Sequence, residues 1–195
     1  MSGETLLPAG RLPAEIAQLL TPELPPLGPG RPIAALADSL ARVDPARWAD
    51  NAGPLSPAAA DCCRAGLWLW NGFLERSHRL SQAVPTAEGS WWHGIMHRRE
   101  PDPGNAKYWF RQVGDHPLAQ PLADRIRQHL AVAEVPPPAA WLIRVPRWDA
   151  FRFVDLCEQA RHSGGHLEAV AREVAAIEWY ALLTFCRTGG SIAAI

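Results

Sequence analysis

The feature that most restricts this chain is its punctuation: a short polar residue followed by proline recurs where a helix-spaced apolar run begins. Ser56-Pro57 and Asp102-Pro103 are such pairs. The cap oxygen accepts a backbone N–H, and proline at the first helical position gives up a donor that would be orphaned anyway. Ser90 and Asp149 are further caps, His116-Pro117 is a restart, and Gly114 and Gly164-Gly165 are stops. Alternating runs of β-branched residues are almost absent. The chain is therefore predicted to be all-α, a compact multi-helix single domain.

Ten of the 19 prolines fall in the first 60 residues. Residues 1–55 are read as a Pro-rich N-terminal arm lying over the body, with short helices over Pro13–Leu20 and Pro32–Val43 and an irregular TPELPPLGPGR between them. Residues 56–195 form the helical core domain. Its longest helix is expected from Pro57 to about Gln82, followed by a loop over Val84–Gly89 and a helix from Trp91 to about Arg99. Further helices should run from Pro103 to Gly114, from Pro117 towards Val132, from Asp149 to about His162 and from His166 to Arg187. The segment VPPPAAWLIRVPRW is expected to be an extended crossover, the one place with room for a short strand.

A formal net charge of −1 removes the global attraction that draws a protein to nucleic acid or an acidic membrane, and so argues against both as partners. No apolar run approaches the length of a membrane span, and MSGETLLPAG has neither the basic nor the apolar region of a secretory leader. Cys62, Cys63, Cys157 and Cys186 contain no CxxC pair, so free thiols in a reducing cytoplasm are expected. Most of the nine tryptophans should be core.

Candidate chemistry concentrates between Glu75 and His116. On one continuous helix Asn71, Glu75, His78 and Gln82 would share a face, read either as a solvated side or as a polar wall inside a cavity. Glu75 and His78 have the i, i+3 spacing of a helical metal pair. In WWHGIMHRRE, His93, His97 and Glu100 fall at i, i+4 and i+7, which suits a helical metal site or acid/base catalysis. Gly94 stands where an HExxH zincin has its glutamate, so that class is ruled out. Arg98, Arg99, Lys107 and Arg111 bring four cations into fourteen residues beside Tyr108, Trp109 and Phe110. They suit recognition of a carboxylate or phosphate, or else ion pairs joining helices, such as Arg98 or Arg99 with Glu75 or Glu100.

The segments Glu75-Arg-Ser-His78-Arg-Leu-Ser81-Gln82 and GSWWHGIMHRREPDPGNAKYWFRQVGDHP, Gly89 to Pro117, resemble a family of uncharacterised bacterial and fungal proteins. The likeness is looser around Ile177 to Cys186. It implies that His78, His93, His97, Arg98, Arg99, Glu100, Asn105, Lys107, Tyr108, Trp109, Arg111 and His116 belong to one signature, and it implies no particular activity, substrate or cofactor.

Three functions follow from these residues. The first is binding of a small anionic molecule in a Trp-lined pocket, with Asn71, Glu75, His78, Arg98, Arg99, Lys107, Tyr108, Arg111 and His116 as binding residues and His93, His97 and Glu100 exchanging protons. The second is a hydrolase or oxidoreductase dependent on a divalent metal, with Glu75, His78, His93, His97 and Glu100 as ligand candidates. The third is a non-enzymatic interaction module. The thiol reading has a direct check: alkylation of denatured protein without reductant should label all four cysteines, and fewer labels would reveal a bridge.

Overall fold

The structure, a computed structural model, describes residues 12–48 and 54–192. The leader reading of the first ten residues and parts of the arm lie outside the described residues. Helices α1 (Ala14–Ala17) and α2 (Ala37–Arg42) lie in the arm, α2 entered through a 3-10 turn over Ala34–Leu36, with another at Pro45–Arg47. The body contains α3 (Pro57–Trp70), α4 (Leu74–Ala83), α5 (Ala87–Arg99), α6 (Pro103–Val113), α7 (Ala119–Leu130), α8 (Ala150–Ser163) and α9 (Gly165–Arg187). Among the described residues there is no strand, and no helix is long and apolar enough to cross a membrane.

The caps act as the spacing requires. Ser56 accepts from the Ala59 N–H, Asp102 from Asn105 and Asp149 from Arg152, at 3.2, 3.0 and 3.0 Å. Gly114 and Gly164 stop α6 and α8 at φ of 65° and 63°. The two arm helices are shorter than expected and α7 starts at Ala119 rather than Pro117. Three further differences shape the body. The long helix from Pro57 is broken at Asn71-Gly72-Phe73. Gly72 has φ of 80°, and a Cβ there would lie 2.6 Å from the Arg31 carbonyl oxygen, so the arm crosses where the chain turns. Thr86 rather than Ser90 opens α5, its hydroxyl accepting from Gly89 N–H at 3.2 Å, so the connection from α4 shrinks to Val84-Pro85-Thr86. The VPPPAAWLIRVPRW segment curls into a 3-10 helix over Pro137–Ile143, because Ala139 and Leu142 both turn into the core.

Helix α5 is the axis of the molecule: every residue from Gly89 to Arg99 is buried. It packs on α3, α4 and α6, while α9 packs on α3, α7 and α8. The stripe Val170, Val174, Ile177, Ala181 and Phe185 of α9 is buried as its spacing predicts. All-round burial forces the polar residues of α5 to find partners inside the protein. Arg98 donates to Glu178 of α9 at 2.5 Å, both fully enclosed, rather than to Glu75 or Glu100. Trp91 and Trp148 each donate an indole N–H to the other Glu178 oxygen, at 2.9 and 3.0 Å, and the guanidinium lies 4.6 Å over the Phe153 ring.

The arm joins the same buried cluster through Leu12, Ile16, Leu19, Leu27 and Leu40. Proline denies it most regular backbone pairing, so donors from the body meet its carbonyls. Asn71 Nδ2 donates to Leu19 O at 3.0 Å, Arg99 to Gly28 O and Pro29 O at 3.2 Å each, and Arg172 to Pro25 O at 3.1 Å and to Leu24 O.

The buried pair gives a direct test. Glu178→Gln leaves the Arg98 charge enclosed without a counter-charge, and urea unfolding should show a loss of about 3 kcal/mol. A loss under about 1 kcal/mol would mean that the guanidinium is not desolvated as described.

Candidate metal centre

The short α4–α5 connection folds the two helices beside each other. It brings His78 of α4 against His93 and His97, which stand one turn apart on α5. Ring centroids are 4.6 Å apart for His78 and His93, 5.4 Å for His78 and His97, and 4.8 Å for His93 and His97. One ring nitrogen from each lies within 4.8 Å of the others, a group able to hold a metal ion. The helix spacing of His93 and His97 is legible in the sequence. The third imidazole arrives because so short a connection makes α4 and α5 neighbours.

Each ring is held differently. His93 stacks on Trp109 of α6, centroids 3.9 Å apart and planes 13° from parallel. Gly94 permits this approach, since a Cβ there would meet the Phe110 ring at 2.9 Å. The glycine that rules out a zincin therefore serves to bring α6 close. His97 Nδ1 lies 3.0 Å from Glu100 Oε2. A carboxylate only accepts, so Nδ1 carries the proton and Nε2 presents its lone pair, the tautomer of a carboxylate-oriented metal ligand. Both ring nitrogens of His93 are buried without a hydrogen-bond partner. That orphan pair is the most telling detail of the site, because buried polar atoms are nearly always satisfied.

Burial, together with the adjacent His97 and His78 rings, pulls the His93 pKa from 6.5 down to about 3. Burial also lowers His97, against the opposing pull of Glu100. Neutral imidazoles are the ligating form.

The other candidates disperse. Glu75 is exposed and pairs with Arg79 at 3.0 Å, on a side of α4 turned away from the cluster. Asn71 is buried beneath the arm, donating to Leu19 O and Leu67 O. Arg98 faces Glu178 and Arg99 the arm carbonyls. Lys107 reaches Asp155 at 2.5 Å, Arg111 lies over the Phe151 ring, and Tyr108 is exposed with its ring edge on Trp109. His116 accepts from the Leu118 N–H at Nδ1 and meets Glu88 at Nε2, 3.2 Å away. Only His78, His93, His97 and Glu100 share one place. Glu178 was missed by sequence reasoning, although a lone acid within IEWYALLTF was a signal that a buried cation awaited it.

No protein-family model, curated protein or solved structure matches this chain.

The lowered histidines carry a pH dependence. Below about 6.5 the unfolded chain takes up protons that folded His93 refuses until about 3, so stability is complete above that window and falls as pH drops through it. In chelator, Tm should fall on the order of 5 °C between about pH 7 and about pH 5. His93→Asn should flatten the slope. A Tm that holds steady or rises on acidification would contradict the buried neutral imidazole.

Proposed function

We propose that this protein binds one divalent transition-metal ion through His78, His93 and His97, and that the ion serves hydrolytic chemistry. The observation that carries the reading is the convergence of three imidazoles from two helices, with both His93 nitrogens lacking a partner. A metal ion would take one nitrogen from each of the three imidazoles and so give His93 the partner that the surrounding packing does not supply. Imidazole ligands suit zinc, copper, iron and nickel. Three protein ligands with a position left for water are the usual catalytic zinc arrangement. Glu100, half exposed beside His97, orients that ring and reaches solvent. Its free oxygen is available to accept a proton there.

The small-anion reading is set second. Lys107 and Arg111, which it placed around the imidazoles, turn to Asp155 and Phe151. The interaction module is what remains if no metal binds. Four buried thiols are the support for a cytoplasmic setting.

Elemental analysis of purified protein should find one equivalent of a transition metal, and cobalt loading should give a visible spectrum of nitrogen-ligated, low-symmetry type. His93→Ala should abolish both while far-UV circular dichroism stays helical. Glu100→Gln should weaken binding about tenfold by freeing the His97 ring. Wild-type protein that takes up no zinc, cobalt, iron or copper in chelator competition would leave the cluster a packing feature. The metal found also separates the two chemistries: zinc favours the hydrolase, iron or copper an oxidoreductase.

A further inference from the structure

A second site lies on the other side of α5. Under the proline-rich arm, between α3, α5 and α9, is a small, partly open cavity of about 30 Å³. That is room for about two waters, or for one anion the size of formate or acetate. Its walls are largely apolar, with Leu27 of the arm over it and Trp70 and Trp179, 4.6 Å apart, to one side. Three guanidinium residues also line it, Arg98, Arg99 and Arg172, and no acidic residue does.

The charges there do not balance. Glu178 neutralises Arg98, but the hydrogen bonds of Arg99 and Arg172 all go to backbone carbonyls. Two cations therefore lie at a largely apolar cavity with backbone carbonyls as partners and no counter-charge among its lining residues. Burial, with Arg98 and Arg172 nearby, pulls Arg99 down to about 10, a sign of how positive the place is. Two donors are left over as well. Trp70 Nε1 and Arg98 Nη1 are both buried and have no partner. A water needs several polar partners in such a cavity, and it brings no charge.

We propose that this cavity is a binding site for a small planar anion bearing a CO2 group, a short carboxylate or bicarbonate. The excess positive charge supplies the attraction, and the unpartnered Trp70 indole donates a hydrogen bond. The apolar walls and the small volume exclude tetrahedral phosphate. Guanidinium groups recognise planar oxyanions by shape as well as charge. Asn71, Arg98 and Arg99, drawn away from the imidazoles, all lie along this seam beneath the arm. The site is independent of the metal reading.

The test uses protein carrying 15N-labelled tryptophan, in chelator at constant ionic strength, with the Trp70 indole resonance assigned through Trp70→Phe. Separate titrations with formate, acetate, bicarbonate, phosphate and chloride distinguish the sources. At least one of the first three should shift the Trp70 resonance saturably, while phosphate and chloride should not. Arg172→Gln, at a partly exposed position, should weaken the effect about tenfold. If that variant does not fold, Arg172→Lys, which keeps the charge and loses the fork, should weaken it measurably. A resonance unmoved by all three CO2-bearing anions, an equal response to chloride, or undiminished binding by the folded variant would each overturn the proposal and leave the cavity to water.

Discussion

Everything in this fold is arranged around one buried ion pair. Arg98 of α5 and Glu178 of α9 meet between the two helices, out of reach of water, with Trp91 and Trp148 donating to the same carboxylate. Desolvating two charges costs several kcal/mol each, so further hydrogen bonds matter to the pair. The two indoles supply them to the carboxylate, while Arg98 Nη1 is left without a partner. This fixes α5 in rotation about its own axis, because only one orientation sends Arg98 to Glu178. With Arg98 so placed, Arg99 points to the arm, and His93 and His97 point to α4. The histidine cluster and the cavity beneath the arm are two consequences of one helix being held in one register.

The arm is part of this arrangement. Prolines leave carbonyls that no neighbouring N–H can meet, and the body answers with Asn71, Arg99 and Arg172. Where the arm passes Gly72, the Ile33 N–H donates to Asn71 O at 3.0 Å. The turn that separates α3 from α4 lies under that crossing. The break separates Asn71 from Glu75 and His78, which stay together on α4.

The sequence signature thus divides among several tasks. His93, His97 and Glu100 do lie together as their spacing suggested. Lys107 joins α6 to α8 through Asp155, His116 holds the start of α7 against Glu88, and Arg98 holds the core. A dense polar motif in one stretch of chain reads as one site. In a bundle its residues radiate from their helices towards different neighbours, and most of this motif is scaffold.

The chain by itself determined that this is a helical protein and where most helices begin and end, because caps, N1 prolines and stop glycines act over a few residues and need no partner. It also determined the buried stripe of α9, the free thiols and the pairing of His93 with His97, all matters of local spacing. Tertiary structure decided the rest. Gly72 falls inside the helix expected from Pro57 to about Gln82, since one glycine costs a helix only about 1 kcal/mol, and the break there lies where the arm crosses. Glu178 became the partner of Arg98 across 80 residues of chain, and Glu75 faces solvent because of the side that α4 turns to its neighbours. Such choices depend on burial and on which faces meet, and local sequence contains neither.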